Sequence, residues 1–424
     1  MRRQEARAAM HGLAESGPRS AAPPDAPALP PAVVLNLHES GVGIARALAR
    51  RGVRVIGLSA DPHAPGTRTR HAEVRAAPDS ATRPAALFAC LSALGAELAP
   101  QAAEPPVLFP TNDADLAFLD SYRDGLSPWF TLAVPPPDLL AAFIDKAELS
   151  RLAAQHGLSV PVIRRVDDTA ALDALAGELA YPAVIKPVAT TAWRTPDFRA
   201  RVGARKGWHV RDHDECRRVY RKIAAVAPAA LIQEWVGGPE DAYIVVGAAL
   251  GAGGRPLGAF TGRKLMQYPP GIGLGCLLES SRHDALRDRT LAFLQAVGFR
   301  GVCEVEFKAD PGGAAPRLIE INPRHWDQHA LGGALGVDLP WLAYRDLIGL
   351  PAGDFAAAQG RRTWVRGPGV TGSVKDALRR RDPAVLRPLW RTLGARRCYA
   401  FWDSDDPGPF LQALRNRLPR RRSH

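Results

Sequence analysis

The stretch that most constrains this chain is Gly301–Trp326, GVCEVEFKADPGGAAPRLIEINPRHW. Val302 to Lys308 alternates apolar and polar residues, Asp310-Pro311-Gly312-Gly313 has turn chemistry, and Arg317 to Ile321 reads as the returning strand of a hairpin. Its acids do not suit an ordinary hairpin. Glu304 and Glu306 stand two apart and share one face of the first strand. Glu320 interrupts the apolar run of the second strand, where a lone carboxylate is costly to bury, and Asn322 follows on the same face. Pairing about the turn brings Glu306 near Glu320 and Asn322. Crowded carboxylates repel unless a proton or a cation lies between them. An oxygen-only donor set suits Mg²⁺, the usual companion of nucleotide phosphates. Arg324 after Pro323 offers a guanidinium fork for phosphate or carboxylate. A surface hairpin with solvated acids is the plain alternative.

A chain of 424 residues has room for two or three domains with proper cores. The net charge of +12 is compatible with nucleic acid, a membrane surface or an anionic substrate. It is carried mostly by arginine spread along the chain, with a dense run only at Arg415 to Arg422. The lysines are few (Lys146, Lys186, Lys206, Lys222, Lys264, Lys308 and Lys375), so each is a better candidate for a specific task. No apolar run approaches membrane-spanning length, and the N-terminus has no apolar core of a secretory signal. Five scattered cysteines show neither disulfide nor zinc spacing, which points to a reducing cytoplasm.

Val33–Leu37 and Val53–Leu58 read as strands around a helix from Ile44 to Arg51, a βαβ unit that implies a parallel sheet. The intervening loop, His38–Gly43, has Gly41 and Gly43 but lacks the third glycine of a dinucleotide fingerprint. Thr111-Asn112-Asp113 caps a helix from Ala114 to Tyr122. Lys146 opens a helix to about His156, and Tyr181–Pro187 is an apolar strand ending in Lys186. Val188–Gly207 is a basic loop interleaved with Trp193 and Trp208, fit for a phosphate-covering flap or for nucleic acid. His325, Trp326, Asp327 and Gln328 stand where an acceptor pocket would begin. Asp403 to Asp406 read as the cap of a last helix.

Lys146, Val184-Ile185-Lys186-Pro187, Gln233-Glu234-Trp235-Val236-Gly237-Gly238-Pro239-Glu240, Glu306 and Ile319-Glu320-Ile321-Asn322-Pro323-Arg324 occur in that order. Together they resemble the landmarks of the ATP-grasp superfamily, and within it the carboxylate–amine ligases, over roughly residues 31 to 350. The resemblance implies a fold of mixed α/β and α+β character. A flexible lead-in (1–30) precedes a parallel-sheet pre-ATP-grasp domain (31–140). A first lobe with its flap (141–230), a second lobe with the metal site (231–350) and a basic C-terminal appendage (351–424) follow.

The resemblance also implies roles. Lys146 and Lys186 hold ATP phosphate oxygens; Gln233 and Glu234 face the adenine amino group, with Trp235 in the same run; Val236 offers its backbone to the ring and Glu240 accepts the ribose hydroxyls. Glu306, Glu320 and Asn322 ligate Mg²⁺, or Mn²⁺ in its place. Arg324, Lys186 and Arg263 are the catalytic cations at the transferring phosphate, with Lys264 beside them. Val188–Gly207 departs from the family's glycine-rich phosphate loop, with glycine only at Gly203 and Gly207, so no flap residue is assigned to ATP. The implied reaction phosphorylates a carboxylate and passes the acyl group to an amine, releasing ADP and phosphate. Amino acids, a dipeptide or a cell-wall peptide precursor remain open as substrates, and so does an oligomer. The competing expectations are a nucleotide-fold binding protein with a basic-surface partner and no turnover, and a dinucleotide oxidoreductase on Gly41 and Gly43.

Overall fold

The computed structural model describes residues 29–417 except 102, 189–192, 194, 204, 206, 271–272, 310–311 and 352–359. Most of the expected lead-in, the turn residues Asp310 and Pro311, Arg194 and Lys206 of the flap and most of the terminal basic run lie outside the described residues.

The N-terminal sheet is parallel, in the order β3-β2-β1-β4-β5, from β1 (Ala32–Leu35), β2 (Val55–Ser59), β3 (Glu73–Ala76), β4 (Val107–Phe109) and β5 (Thr131–Leu132). The central strands are apolar throughout because both faces are covered. On one face Val33, Leu35, Ile56 and Leu58 meet Leu87, Leu91 and Leu94. On the other, Val34 and Val55 meet Ile44 and Leu48, together with Tyr344 from the far end of the chain. The edge strand β3 is charged and exposed.

Helix α1 (Glu39–Ala49) begins earlier than the sequence suggests, so Gly41 and Gly43 lie inside it rather than in a loop. A Cβ on Gly41 would sit 2.0 Å from the Asn36 carbonyl oxygen, and one on Gly43 would sit 2.6 Å from His329 Nε2. These glycines permit close packing of the protein on itself. Asn112 caps α2 (Asp113–Ser121), accepting from the Ala114 and Asp115 amides.

The next unit is a small antiparallel sheet, order β6-β9-β7-β8, of β6 (Ile163–Val166), β7 (Ala183–Pro187), β8 (Trp208–Val210) and β9 (Ala230–Glu234). Strand β9 belongs here, so the change of sheet falls after Glu234, not before residue 231. Cys216, Tyr220 and Ile223 of α4 (His213–Ala224) pack beneath it, whereas α3 (Lys146–Gln155), earlier in the chain, packs on the core of the sheet that follows. Trp193 is 3% exposed and stacks on Phe198 with centroids 5.1 Å apart, with Trp208 edge-on at 5.0 Å. The aromatics of the basic loop therefore form its own core and do not offer a stacking surface.

The third sheet has seven strands in the order β14-β13-β10-β11-β12-β15-β16. They are β10 (Tyr243–Leu250), β11 (Pro256–Tyr268), β12 (Leu274–Ser280), β13 (Gly301–Lys308), β14 (Arg317–Asn322), β15 (Arg362–Val365) and β16 (Arg396–Tyr399). One face packs on Phe293 and Leu294 of α5 (Asp284–Ala296); the other encloses Val245, Phe260, Trp326 and Trp364. The C-terminal stretch is thus not an appendage. Strands β15 and β16 extend this sheet, and Trp364 is fully buried.

The acids before α6 (Gly408–Arg415) do not cap it; its N-cap is Pro407 and makes no side-chain bond. Buried Asp406 instead accepts from Arg46 Nε at 2.9 Å, Thr69 Oγ1 at 2.7 Å and the Arg70 amide at 3.0 Å. Arg46 also donates to the carbonyls of Phe401 and Asp406. This latch ties the C-terminal segment to the N-terminal domain.

Candidate active site

Strands β13 and β14 pair with Glu306 opposite Glu320 and Glu304 opposite Asn322. The hairpin read from the sequence is real, and its acids line one face. Two lysines close on that face. Lys264 of β11 donates to Glu306, and Lys146, the first residue of α3, donates to Glu320 Oε1 at 3.1 Å. Asp145 accepts from the Ala147 and Glu148 amides, which fixes the start of the helix that presents Lys146. Lys186, near the end of β7, donates to Gln233 Oε1 at 3.0 Å. The two sheets therefore bring Lys146, Lys186, Lys264, Glu306 and Glu320 together.

Electrostatics couples these groups. Burial lowers Lys186 to about 8, and Lys146 adds to the effect, while Glu320 and Glu306 oppose it. Burial would raise Glu320, but Lys146 and Lys186 hold it at about 2. Its side chain nonetheless stays 43% exposed to the cleft. Glu304 is pushed well up, by burial and then by Glu306. Lys264 goes up despite its burial because Glu306 and Glu304 surround it.

Gln233 joins the cleft through Lys186, and the other expected residues are held differently. Arg263 pairs with Ile244 across the sheet and so faces the α5 side, away from Lys264. Arg324 spans to the N-terminal domain, where its Nε donates to Asp113 Oδ1 at 2.7 Å. Gln233 and Glu234 point to opposite faces of β9, and Glu234 is ion-paired with Arg317 at 2.5 Å. Asn322 donates to Glu304 Oε2 at 2.9 Å rather than joining Glu306. Val236 is buried, and Glu240 accepts from the Gln267 amide at 3.3 Å. Of the four residues after Arg324, His325, Trp326 and Gln328 are buried. Asp327 lines a cavity of about 490 Å³ between α1 and β16, which Glu39 also walls, and His325 lines a smaller one of about 70 Å³ beside Arg324. Burial and then Glu39 raise Asp327 to about 6.

The sequence reading left Glu304 out of the ligand set, although its alternation with Glu306 signals it. Lys308, to which the resemblance gives no role, lies on the same face and sits 4.8 Å above the Trp235 ring and 4.9 Å above Tyr243. The scarcity of lysine was the available signal.

Among the described residues, no three His, Cys, Asp or Glu side chains converge to hold a metal unaided. The donor chemistry still fits Mg²⁺, which commonly takes one or two carboxylates and completes its shell with phosphate and water. Glu304 Oε1 is buried without a partner beside the paired Glu306 and Glu320.

The chain is built of a parallel-sheet domain followed by two sheets, with lysines and carboxylates gathered between them. The chain has the ATP-grasp fold and resembles its carboxylate–amine ligase members. Residues 275–346 match the family "Carbamoyl-phosphate synthase L chain, ATP binding domain". The chain is 27% identical over 222 residues to the N-terminal section of the carbamoyl phosphate synthase large chain of Methanopyrus kandleri, covering 49% of this chain and 36% of that one. It thus spans about a third of that relative's length. Biotin carboxylase of Campylobacter jejuni superposes with a TM-score of 0.60 at 15% identity, over 78% of this chain and 74% of that one. N5-carboxyaminoimidazole ribonucleotide synthetase of Thermus thermophilus gives 0.57 at 16%, over 78% and 81%.

Proposed function

We propose that the protein is an ATP-dependent ligase that activates a carboxylate by phosphorylation and joins it to an amine. The observation that carries this reading is the Lys146–Glu320 contact of 3.1 Å, which links the first lobe to the acidic hairpin of the second. With Lys186 of β7 behind it, that contact marks a point where a helix-terminal lysine and a strand lysine meet the acids of the seven-stranded sheet.

A carboxylate cannot expel oxide, so the chain's task is to hold a triphosphate and an acid in line and to balance the charge that moves between them. Lys146 and Lys186 supply the cations on the first-lobe side. Glu306 and Glu320, with Glu304 and Asn322 behind them, are the residues that would hold Mg²⁺, which would supply further charge neutralisation when bound. Arg324, held against Asp113, brings a guanidinium from the seam with the N-terminal domain. Asp327, beside Glu39 and its partner Arg366, gives the cavity between α1 and β16 an acceptor for the amine.

The test is ADP release with ATP, Mg²⁺ and a panel of acids and amines, followed by the mass of the product. Bicarbonate belongs in the panel, because one structural neighbour was determined with MgADP and bicarbonate. ADP release that requires an acid and an amine supports the reading. ATP binding without ADP release across the panel, with nucleic acid retained on the basic surface, overturns it.

A further inference from the structure

The three most exposed large apolar side chains among the described residues are Trp390 (71%), Leu378 (68%) and Leu393 (58%). All three fall in one short stretch, and that stretch is also where the chain's charge concentrates. Residues 361–397 hold ten arginines and one lysine against two aspartates, most of the net charge of +12. Arg361, Arg366, Arg379 and Arg391 are spent in ion pairs with Glu279, Glu39, Asp376 and Asp241. Arg380, Arg381, Arg387, Arg396 and Arg397 are exposed and have no acidic partner among the described residues.

The packing sets the direction of the patch. Helix 367–380 buries Gly369, Ser373 and Ala377, one stripe at helical spacing, against the seven-stranded sheet. Ser373 Oγ donates to the Gln267 carbonyl there. After the turn that follows, Leu389 packs into the same cluster as Val370, on Leu265 and Met266. Both pieces lean on one region of the sheet through Val370 and Leu389, while Leu378, Trp390 and Leu393 stay exposed. Leu378 ends the first piece, and Trp390 and Leu393 end the second, with the Leu393 amide bonded to the Trp390 carbonyl at 3.1 Å.

Exposed tryptophan and leucine rimmed by unpaired arginine is the chemistry of a lipid interface. The indole and isobutyl groups enter the headgroup boundary while the guanidinium groups meet anionic headgroups. Nucleic acid would engage the same charge, but it gains little from leucine, and the flap's tryptophans are buried. No helix among the described residues is long and apolar enough to cross a membrane, so a surface contact is the geometry available to these residues. We infer that residues 378–397 dock the protein, reversibly, on an anionic lipid surface through Leu378, Trp390 and Leu393, with the surrounding arginines providing the charge.

The test is flotation of the full chain with phosphatidylcholine vesicles with and without phosphatidylserine. Binding is expected only to the phosphatidylserine vesicles and should fall as salt rises. Arg387→Ala and Arg396→Ala should each weaken it by about fivefold. Trp390→Ala with Leu393→Ala should lose most of it, while the melting temperature stays put because both side chains are exposed. Fluorescence that shifts to the blue on vesicle addition in the wild type, but not in Trp390→Phe, would locate the contact. Absence of binding to phosphatidylserine vesicles overturns the inference. So does binding that survives the Trp390 and Leu393 changes, or retention by oligonucleotides in place of vesicles.

Discussion

Asp406→Ala would test whether the C-terminal segment holds the N-terminal domain in place. Asp406 is 1% exposed and its partner Arg46 is 7% exposed at the side chain. The substitution removes three hydrogen bonds to one carboxylate, from Arg46, Thr69 and the Arg70 amide. It also leaves a buried guanidinium without its counter-charge. Breaking a buried pair from one side costs about 3–5 kcal/mol. Arg46 keeps the carbonyls of Phe401 and Asp406, so the lower end applies. A loss of about 3 kcal/mol raises the population of the detached segment on the order of a hundredfold. Limited proteolysis near residue 400, with denaturant unfolding alongside, reads that population. The neighbouring pair between Arg50 and Asp405 provides the contrast. Both side chains are well exposed, so Asp405→Ala should cost under about 1 kcal/mol. If Asp406→Ala and Asp405→Ala behave alike, the latch argument is wrong.

Three further outcomes are expected. Glu320→Gln should lower ADP release by at least about a hundredfold with the circular dichroism spectrum unchanged, and near-normal rates would remove the phosphate-and-metal assignment. Because Lys186 falls to about 8 and must be charged to hold phosphate, kcat/KM for ATP should decline as pH rises through about 8; Lys186→Arg should keep its charge and flatten the profile, and a flat wild-type profile would count against the assignment. Gly43→Ala adds helix propensity yet puts a methyl 2.6 Å from His329 Nε2, so thermal melting should show a net loss of about 1–3 kcal/mol, whereas a stabilised variant would mean that the seam between α1 and His329 is loosely packed.

What could be read from the chain was what local pattern carries. The acidic hairpin paired as its alternation demands, and the apolar runs of β1 and β2 became a parallel sheet. The misreadings share one cause. Gly41 and Gly43 looked like a loop because glycine is a poor helix former, yet partners outside the helix, Asn36 and His329, require the missing Cβ. Asp406 looked like a cap because its partner Arg46 lies 360 residues away. Strand β15 is four residues long and opens on an arginine, so nothing local marks it as sheet; its pairing with β12 does. Glu234 is different, since the period of two already sets it on the face opposite Gln233.

The two lysine–carboxylate pairs of the cleft are not equivalent, and the difference divides their roles. Lys264 and Glu306 keep 7% and 13% of their side chains exposed, and the charges reinforce each other in a dry setting. Separating them would leave each buried and unpaired. Lys146 and Glu320 keep 21% and 43%, so solvent already screens their contact and little is lost when it opens. A triphosphate entering the cleft would therefore draw Lys146 away from Glu320 and free that carboxylate for a cation. Lys264 would stay on Glu306. On this argument Lys264 acts less as a phosphate contact than as the counter-charge that lets Glu304 and Glu306 share one buried face. Lys146 and Lys186 would then be the cations that exchange partners on nucleotide binding.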